Sequence, residues 1–240
     1  IKIGQFELKN NNENSQDALA VKYSSNGEEI EWATSFGGQF NDEVKSTATT
    51  SDGGIILAGS FAGTIYLEET SIASSGSKDG IIVKYNNNGE LEWYKKIGES
   101  GDDCINSVTR TNDGGIITGG YLSSSNTIGN YQLENQGKYD GLVIKYDING
   151  KVKWATNIGG SENDLINSVA EINDEGIIAG GQFYSNTIET GRFTLENQGN
   201  NDGMLLKIIA QAGVPEVEEL IVENSKKEFK ITTDVNEIDG

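Results

Sequence analysis

Apolar and polar residues alternate along short stretches of this chain, and turn residues separate the stretches. The clearest example places Val152, Trp154 and Ile158 on one face, while Lys151 and Lys153 fall on the other. A period of two residues is that of a half-buried β-strand, whereas an amphipathic helix repeats about every 3.6 residues. No helical period separates these stretches, so the pattern predicts an all-β fold.

The predicted strands recur in a fixed order along the chain. Trp32, Trp93 and Trp154 each lie 61 residues from the next in the sequence. One strand of each copy begins at an aspartate, and these aspartates are spaced by 61 or 62 residues: Asp17, Asp79, Asp140 and Asp202. A fixed period of this size indicates a repeat architecture.

The repeats divide the chain into a repeat segment, 1–213, and a C-terminal tail, 214–240. The segment is predicted to contain a partial repeat (1–61), two complete repeats (62–122 and 123–183) and a second partial repeat (184–213). The tail is acidic and contains the only proline, Pro215. We expect it to be a linker leading into a further module.

Each repeat is predicted to contain four strands joined by tight turns such as Asn149-Gly150, a dipeptide typical of two-residue hairpins. The longest connections lead from the fourth strand into the next repeat: Ala62–Lys78, Ser123–Tyr139 and Tyr184–Asn201. Four-stranded antiparallel meanders in series are typical of β-propeller blades. The sequence contains three complete groups of four predicted strands, which is fewer than the ~4 to 8 blades that close a propeller. We therefore expect an open segment of a larger propeller.

The composition argues against several classes of function. With 18 Lys and Arg against 37 Asp and Glu, the net charge is -19, which opposes binding to nucleic acid. The absence of histidine removes the usual general base, and a single cysteine, Cys104, excludes an internal disulfide or a cysteine-based zinc site. The sequence contains no apolar run long enough to span a bilayer. We expect no cofactor, no metal site and no membrane insertion.

Two sets of repeated residues are candidates for chemistry or for structure. Asp42, Asp103 and Asp164 could form a ring of cation sites or cap their own loops, and the tryptophans could stack on sugars or pack between blades. A unique catalytic site would not be duplicated in every copy. We therefore assign structural roles to six positions: Trp32, Trp93, Trp154, Asp42, Asp103 and Asp164.

The connections indicate where a partner would bind. A meander blade places its two tight turns at one end and its two longer connections at the other. The long connections differ between copies, and loops on a rigid scaffold are the usual place for recognition. We predict that Tyr131 and Phe193 are the main anchors, with contributions from Tyr66, Asp102, Asp103 and Arg192. The alternative is that these aromatic residues fold back and cap their own blades.

The order of the motifs resembles the SBBP-type β-propeller repeat of bacterial proteins. The shared elements are Asp-Gly/Ala-x-x-x-Lys-Tyr, Asn-Gly, Trp, Gly-Gly and Asp-Gly-Gly, over residues 17–208. This resemblance implies a propeller fold and a secreted or wall-attached setting, and it implies no reaction. A weaker resemblance, to quinoprotein propellers, involves Asp147, Gly150-Lys151 and Trp154 of one copy only.

These observations lead to two hypotheses about function. The first is a non-enzymatic extracellular scaffold for binding or adhesion, which recognises a protein or a carbohydrate and contacts other blades of the same protein. The alternative is a propeller-fold hydrolase or lyase that acts on a polysaccharide, with its active site largely outside this segment. A catalytic site requires a nucleophile, a base and an oxyanion donor together, and we find no such combination in the sequence.

Overall fold

The computed structural model describes residues 1–172, 176–211 and 213–223. Within these residues the chain forms 22 β-strands, and it forms no helix long and apolar enough to cross a membrane. In chain order the strands are β1 (Lys2–Ile3), β2 (Phe6–Glu7), β3 (Ala18–Tyr23), β4 (Ile30–Gly38), β5 (Glu43–Thr49), β6 (Ile55–Phe61), β7 (Thr64–Leu67), β8 (Thr70–Ala73), β9 (Asp79–Tyr85), β10 (Leu91–Ile97), β11 (Cys104–Arg110), β12 (Ile116–Leu122), β13 (Asn126–Ile128), β14 (Tyr131–Leu133), β15 (Asp140–Tyr146), β16 (Val152–Ile158), β17 (Asp164–Glu171), β18 (Ile177–Phe183), β19 (Thr187–Thr190), β20 (Phe193–Glu196), β21 (Asp202–Gln211) and β22 (Val214–Glu223).

Three antiparallel four-stranded sheets follow one another along the chain. Sheet 1 has the order β5-β6-β9-β10, sheet 2 has β11-β12-β15-β16, and sheet 3 has β17-β18-β21-β22. Before them, β3 pairs with β4, and the end of β4 pairs through Gly37 and Gly38 with the hairpin β7–β8. We call β3 and β4 the half sheet, because β3 has no inner strand beside it among the described residues. The prediction of an all-β chain built from four-stranded antiparallel sheets is confirmed, and these sheets are consistent with propeller blades.

The sheets group the strands differently from the predicted repeats. The long connection 62–78 lies within sheet 1, because β6 pairs with β9 along its whole length, from Phe61↔Asp79 to Ile55↔Tyr85. The short loop 98–103 leads from sheet 1 to sheet 2, because β10 and β11 belong to different sheets. A repeat period reveals how often a unit recurs but not where each sheet begins, so both groupings fit the same period.

The expected boundary before Val214 lies inside sheet 3. Residues 214–223 form β22, which pairs with β21 in a register that includes Met204↔Val222 and Lys207↔Glu219. The equivalent register position in sheet 2 is Trp154, opposite Lys145. The last outer strand therefore lacks the tryptophan that marks the others, so the repeat pattern did not assign it to this sheet. Residues 224–240, where a further module was predicted, lie outside the described residues.

The half sheet has one uncovered face. Leu19 and Tyr23 in β3 are 42% and 54% exposed. Their counterparts Ile81 and Tyr85 in β9 are each 1% exposed, because they pack against the half sheet. In the described residues, no sheet covers the half sheet on the opposite side.

The inner strands connect neighbouring sheets through serine hydroxyls. The Val108 amide of sheet 2 donates to Ser46 Oγ of sheet 1 at 3.1 Å. The Val169 amide of sheet 3 donates to Ser107 Oγ of sheet 2 at 3.2 Å. The same contact therefore recurs at both junctions and sets the offset between adjacent sheets.

The tryptophans of the outer strands pack against turns of the following sheet. Trp32 is buried, and its Nε1 donates to the Asn87 carbonyl of the sheet 1 turn at 3.1 Å. A Cβ added to Gly89 in that turn would lie 2.7 Å from the Trp32 ring, and one added to Gly150 would lie 3.0 Å from Trp93. Both glycines also have positive φ, 83° and 73°. The turn glycine therefore has two roles: it adopts the positive φ of the hairpin turn, and its missing side chain lets the tryptophan of the neighbouring sheet pack against the turn.

Two adjacent glycines of β18 provide a test of the close approach between strands. A Cβ at Gly181 would lie 1.9 Å from the Leu165 carbonyl oxygen, whereas a Cβ at Gly180 meets only Leu205 Cδ1, at 3.6 Å. We expect Gly181→Ala to lower the free energy of unfolding by about 3 kcal/mol, because the strand must move away from β17. Gly180→Ala, the matched control, should change it by less than about 0.5 kcal/mol. Urea denaturation measures both, and equal effects would contradict the predicted strand register.

Candidate functional site

The strand order defines two ends of the molecule. The tight-turn end carries the turns within β5–β6 and β9–β10 and their equivalents in sheets 2 and 3. The long-loop end carries the connections between the second and third strands and the loops between sheets, such as 98–103. These ends are those expected from the meander.

Tyr131 does not project from the long-loop end. The hairpin β13–β14 folds back over its own sheet, where Ile128 and Leu133 are buried. The Tyr131 hydroxyl has one proton, which the carbonyls of Lys153, at 2.5 Å, and Gly213, at 3.2 Å, share. Lys153 lies on the outer strand of sheet 2 and Gly213 at the β21–β22 turn of sheet 3. This half-buried side chain therefore joins two sheets, close to the tight-turn end.

Phe193 occupies the equivalent place on the hairpin β19–β20. It is half-buried and packs against the core of sheet 3. The Arg192 guanidinium lies 5.0 Å from the Phe193 ring centroid, and its Nη2 donates to the Glu218 carbonyl at 3.1 Å. Tyr66, Tyr131 and Phe193 thus lie on three separate hairpins, and the two predicted main anchors contact their own scaffold.

Asp103 is a scaffold residue and not a surface ligand. Its side chain is fully buried, and its Oδ1 accepts hydrogen bonds from the Ser123 amide (2.7 Å) and hydroxyl (3.2 Å). Burial raises the pKa of the Asp103 carboxyl to about 6. The neighbouring Asp102 is partly exposed and accepts a hydrogen bond from the Ser77 hydroxyl. Only Asp102 of this pair faces the surface.

The equivalent aspartates fasten the same loops in the other copies. Asp42 accepts from the amides of Gly38 (2.8 Å) and Ala62 (3.0 Å). Asp164 accepts from the amides of Gly160 (2.8 Å) and Tyr184 (3.0 Å). Each carboxylate joins the loop between two sheets to the segment that follows the second strand. Among the described residues, no group of three or more acidic or cysteine side chains could hold a metal ion.

The long-loop end presents three exposed aromatic residues, of which the sequence analysis named Tyr66 and missed Phe40 and Tyr184. Phe40 is 52% exposed in the loop before β5, Tyr66 is 54% exposed beside Gly37, and Tyr184 is 39% exposed directly after β18. The other copies have Gly101 and Glu162 in place of Phe40. The sequence signal that could have identified Phe40 was this variation between copies at equivalent loop positions.

A second aromatic group lies at the same end, in sheet 2. The rings of Tyr121 and Tyr139 are 5.0 Å apart between centroids. Burial raises the Tyr121 pKa above its usual range. Sheet 1 has Ser60 and Lys78 at these two positions, so the pair belongs to one copy alone.

Comparison with known proteins gives two relatives with weak similarity. The chain is 26% identical over 235 residues to an uncharacterised WD repeat-containing protein of Acanthamoeba polyphaga mimivirus, covering 80% of this chain and 16% of that protein. It is 26% identical over 172 residues to the regulatory protein FlaEY of Caulobacter vibrioides, covering 68% of this chain and 18% of that protein. The chain thus spans less than a fifth of the length of these relatives.

No protein-family model matches the chain. A protein of unknown function from Bacteroides caccae has a similar structure, with a TM-score of 0.41 and 12% identity over 92% of this chain and 74% of that one. The chain in the present structure is an all-β repeat protein whose four-stranded antiparallel sheets are consistent with propeller blades. The pairing of its strands and the WD-repeat relative support that statement.

The hydrogen bonding of the Tyr131 hydroxyl to Lys153 of sheet 2 and Gly213 of sheet 3 can be tested by mutation. Tyr131→Phe keeps the ring but leaves two carbonyls without this donor, so we expect the free energy of unfolding to fall by about 1 kcal/mol. Tyr66→Phe, at an exposed position, is the control and should have almost no effect. Thermal and urea denaturation measure both variants. An unchanged free energy of unfolding in Tyr131→Phe would contradict the role of this hydroxyl in joining sheets 2 and 3.

The pKa values of Asp103 and Asp52 are shifted in opposite directions, so the two carboxyl groups should make stability depend on pH in opposite ways. Burial raises the pKa of Asp103 to about 6, above its ordinary 3.8, so its contribution is greatest at low pH and is lost as the pH rises from about 4 to 6. Hydrogen bonding from Lys84 lowers the pKa of Asp52 to about 2, so its contribution is present above about pH 4 and is lost on acidification.

We therefore expect Asp103→Asn to remove part of the decline in stability between pH 4 and 6. Asp52→Asn, the matched comparison, should remove stability at pH 7 and change little near pH 2. Urea unfolding across this pH range measures both. Parallel pH profiles for the two variants would contradict the assignment.

Proposed function

We propose that this chain is part of a larger β-propeller of the SBBP type, which acts as a non-enzymatic binding scaffold outside the cytoplasm. Its partner binds at the long-loop end. The observation that carries the proposal is the exposure of Phe40, Tyr66 and Tyr184 at this end, each in a separate loop or hairpin segment. Aromatic anchors on a rigid frame are characteristic of protein recognition sites.

A protein partner fits these residues better than a sugar. The anchors lie on separate loops, whereas sugar recognition usually needs a concave site that combines an aromatic face with several convergent polar groups. Asp102 and Glu162 lie in the loops between the sheets, and the chain carries a net charge of -19. The partner surface is therefore apolar at its centre and basic around it.

The alternative function is a hydrolase or lyase acting on a polysaccharide. The buried carboxylates Asp42, Asp103 and Asp164 already accept main-chain amides, which supports a structural use of these acids. The active site of such an enzyme would therefore use residues other than these three aspartates, largely outside this segment. Turnover of a polysaccharide by the longer protein, lost after mutation of a single sheet, would favour this alternative.

The proposal is tested by measuring binding to a panel of basic and acidic proteins and of immobilised glycans. We expect at least one basic protein to bind saturably, and Phe40→Ala or Tyr184→Ala to weaken that binding about tenfold, as for an interface hot spot. Ile148→Ala is the matched control, because Ile148 is also exposed, 37%, but lies in a tight turn at the opposite end.

The control should change the affinity less than twofold. A stronger loss in Ile148→Ala than in the two long-loop variants would place the partner at the tight-turn end. Saturable binding to glycans alone would replace the protein partner with a carbohydrate.

A further inference from the structure

The half sheet lacks the inner pair of strands that completes each of the other sheets. In sheet 1, β9 pairs with β10 on one side and with β6 on the other; in sheet 2, β15 pairs with β16 and β12. The equivalent strand of the half sheet, β3, pairs with β4 alone among the described residues. One edge of β3 therefore presents main-chain donors and acceptors without a β-strand partner.

A lysine beside this edge also lacks the partner that its counterparts have. Lys84 of β9 is buried and lies 2.6 Å from Asp52 in the β5–β6 turn. Lys145 of β15 is 2.6 Å from Asp113 in the β11–β12 turn. The inner hairpin of each complete sheet thus brings a carboxylate to the central lysine.

Lys22 is the counterpart of these residues in β3. Its Nζ pairs with Glu31 at 2.8 Å, as Lys84 does with Glu92 at 2.8 Å. In place of the turn aspartate, Lys22 donates to the side-chain oxygen of Asn87, at 2.5 Å. Asn87 belongs to the turn of the next sheet, and a neutral amide replaces the carboxylate. Lys22 therefore places a positive charge beside the edge of β3, where the carboxylate of an acidic turn could pair with it.

The inner hairpins share the features that such a partner would need. Asp52 accepts hydrogen bonds from the Thr50 hydroxyl and the Gly54 amide, and Asp113 accepts them from Thr111 and Gly115. This Thr-x-Asp-Gly-Gly turn holds the carboxylate in place before it meets a lysine. The strand after the turn is apolar and contains small residues, as in Ile55–Phe61.

We infer that the free edge of β3 is a docking site for a β-hairpin of the β5–β6 type. The hairpin adds two strands to the half sheet, with main-chain hydrogen bonds to residues 18–23 and its turn aspartate on Lys22. The register follows that of β6 on β9, in which Leu57 lies opposite Val83 and Ile55 opposite Tyr85. On β3 these two hairpin positions face Val21 and Tyr23. This site lies apart from the aromatic residues of the long-loop end.

The test uses the full chain and a synthetic peptide with the sequence of residues 43–61, which contains β5, its turn and β6. We expect saturable binding and slower amide hydrogen exchange in residues 18–23, with no change in residues 79–85, which are already paired. The Asp52→Asn peptide should bind about tenfold more weakly, because a hydrogen bond to a charged group is lost. A peptide of the same composition in scrambled order is the control.

A double-mutant cycle separates specific docking from general association of β-strands. In the Lys22→Gln chain, the unmodified peptide and the Asp52→Asn peptide should bind with equal affinity, because the lysine charge that distinguishes them is gone. Circular dichroism checks that the variant chain is folded. A persistent tenfold preference for the unmodified peptide in this chain would overturn the assignment of Lys22.

Three other outcomes would overturn the proposal. The first is no binding of the peptide, and the second is equal binding of the scrambled peptide. The third is concentration-dependent dimerisation of the chain without peptide, accompanied by protection of residues 18–23. That result would assign the edge to a second copy.

Discussion

Each complete sheet depends on the antiparallel pairing of its second and third strands. These strands lie on either side of the longest connection in the repeat, so the chain must close a loop before they can pair, at an entropic cost that grows slowly with loop length. In sheet 2 the pair is β12 and β15, whose Ile117, Thr118, Val143 and Ile144 are all completely buried. Burial of this central pair offsets the cost of closing the loop.

The outer hairpins follow from that constraint. A long connection between paired strands would leave main-chain groups unsatisfied unless it formed structure of its own. The connections of sheets 1, 2 and 3 each form a short hairpin, β7–β8, β13–β14 and β19–β20, whose apolar side chains pack back onto the sheets. Residues such as Tyr131 therefore reach the neighbouring sheet and stabilise the junction. The varied sequences of these hairpins reflect packing as well as surface function.

Buried polar groups hold the long-loop end in place. Asp42, Asp103 and Asp164 recur because each must accept main-chain amides where a loop crosses between sheets. The burial that raises the pKa of Asp42 and Asp103 to about 6 is the result of this structural role. A rigid frame of this kind allows exposed residues such as Phe40 and Tyr184 to vary without loss of the fold.

The sequence predicted the strands, the tight turns and the repeat, because alternation and Asn-Gly or Asp-Gly signals are local. It did not predict the grouping of strands into sheets, because that depends on whether β9 pairs with β6, a contact across residues 62–78. It also did not assign β22 to the last sheet, because Glu219 stands at the register position of Trp154 and the repeat pattern ends before it. For the site, the aromatic character of Tyr131 and Phe193 was visible, but their direction was not, since it depends on how each hairpin folds back.

The central claim is that the second and third strands of each sheet flank the long connection. Cross-strand nuclear Overhauser effects in the isotope-labelled chain test it most directly. The account predicts main-chain contacts between Thr118 and Ile144 and between Gly119 and Val143, the paired positions of β12 and β15. A ladder of contacts joining β10 to β11 in one sheet, with none between β12 and β15, would contradict it.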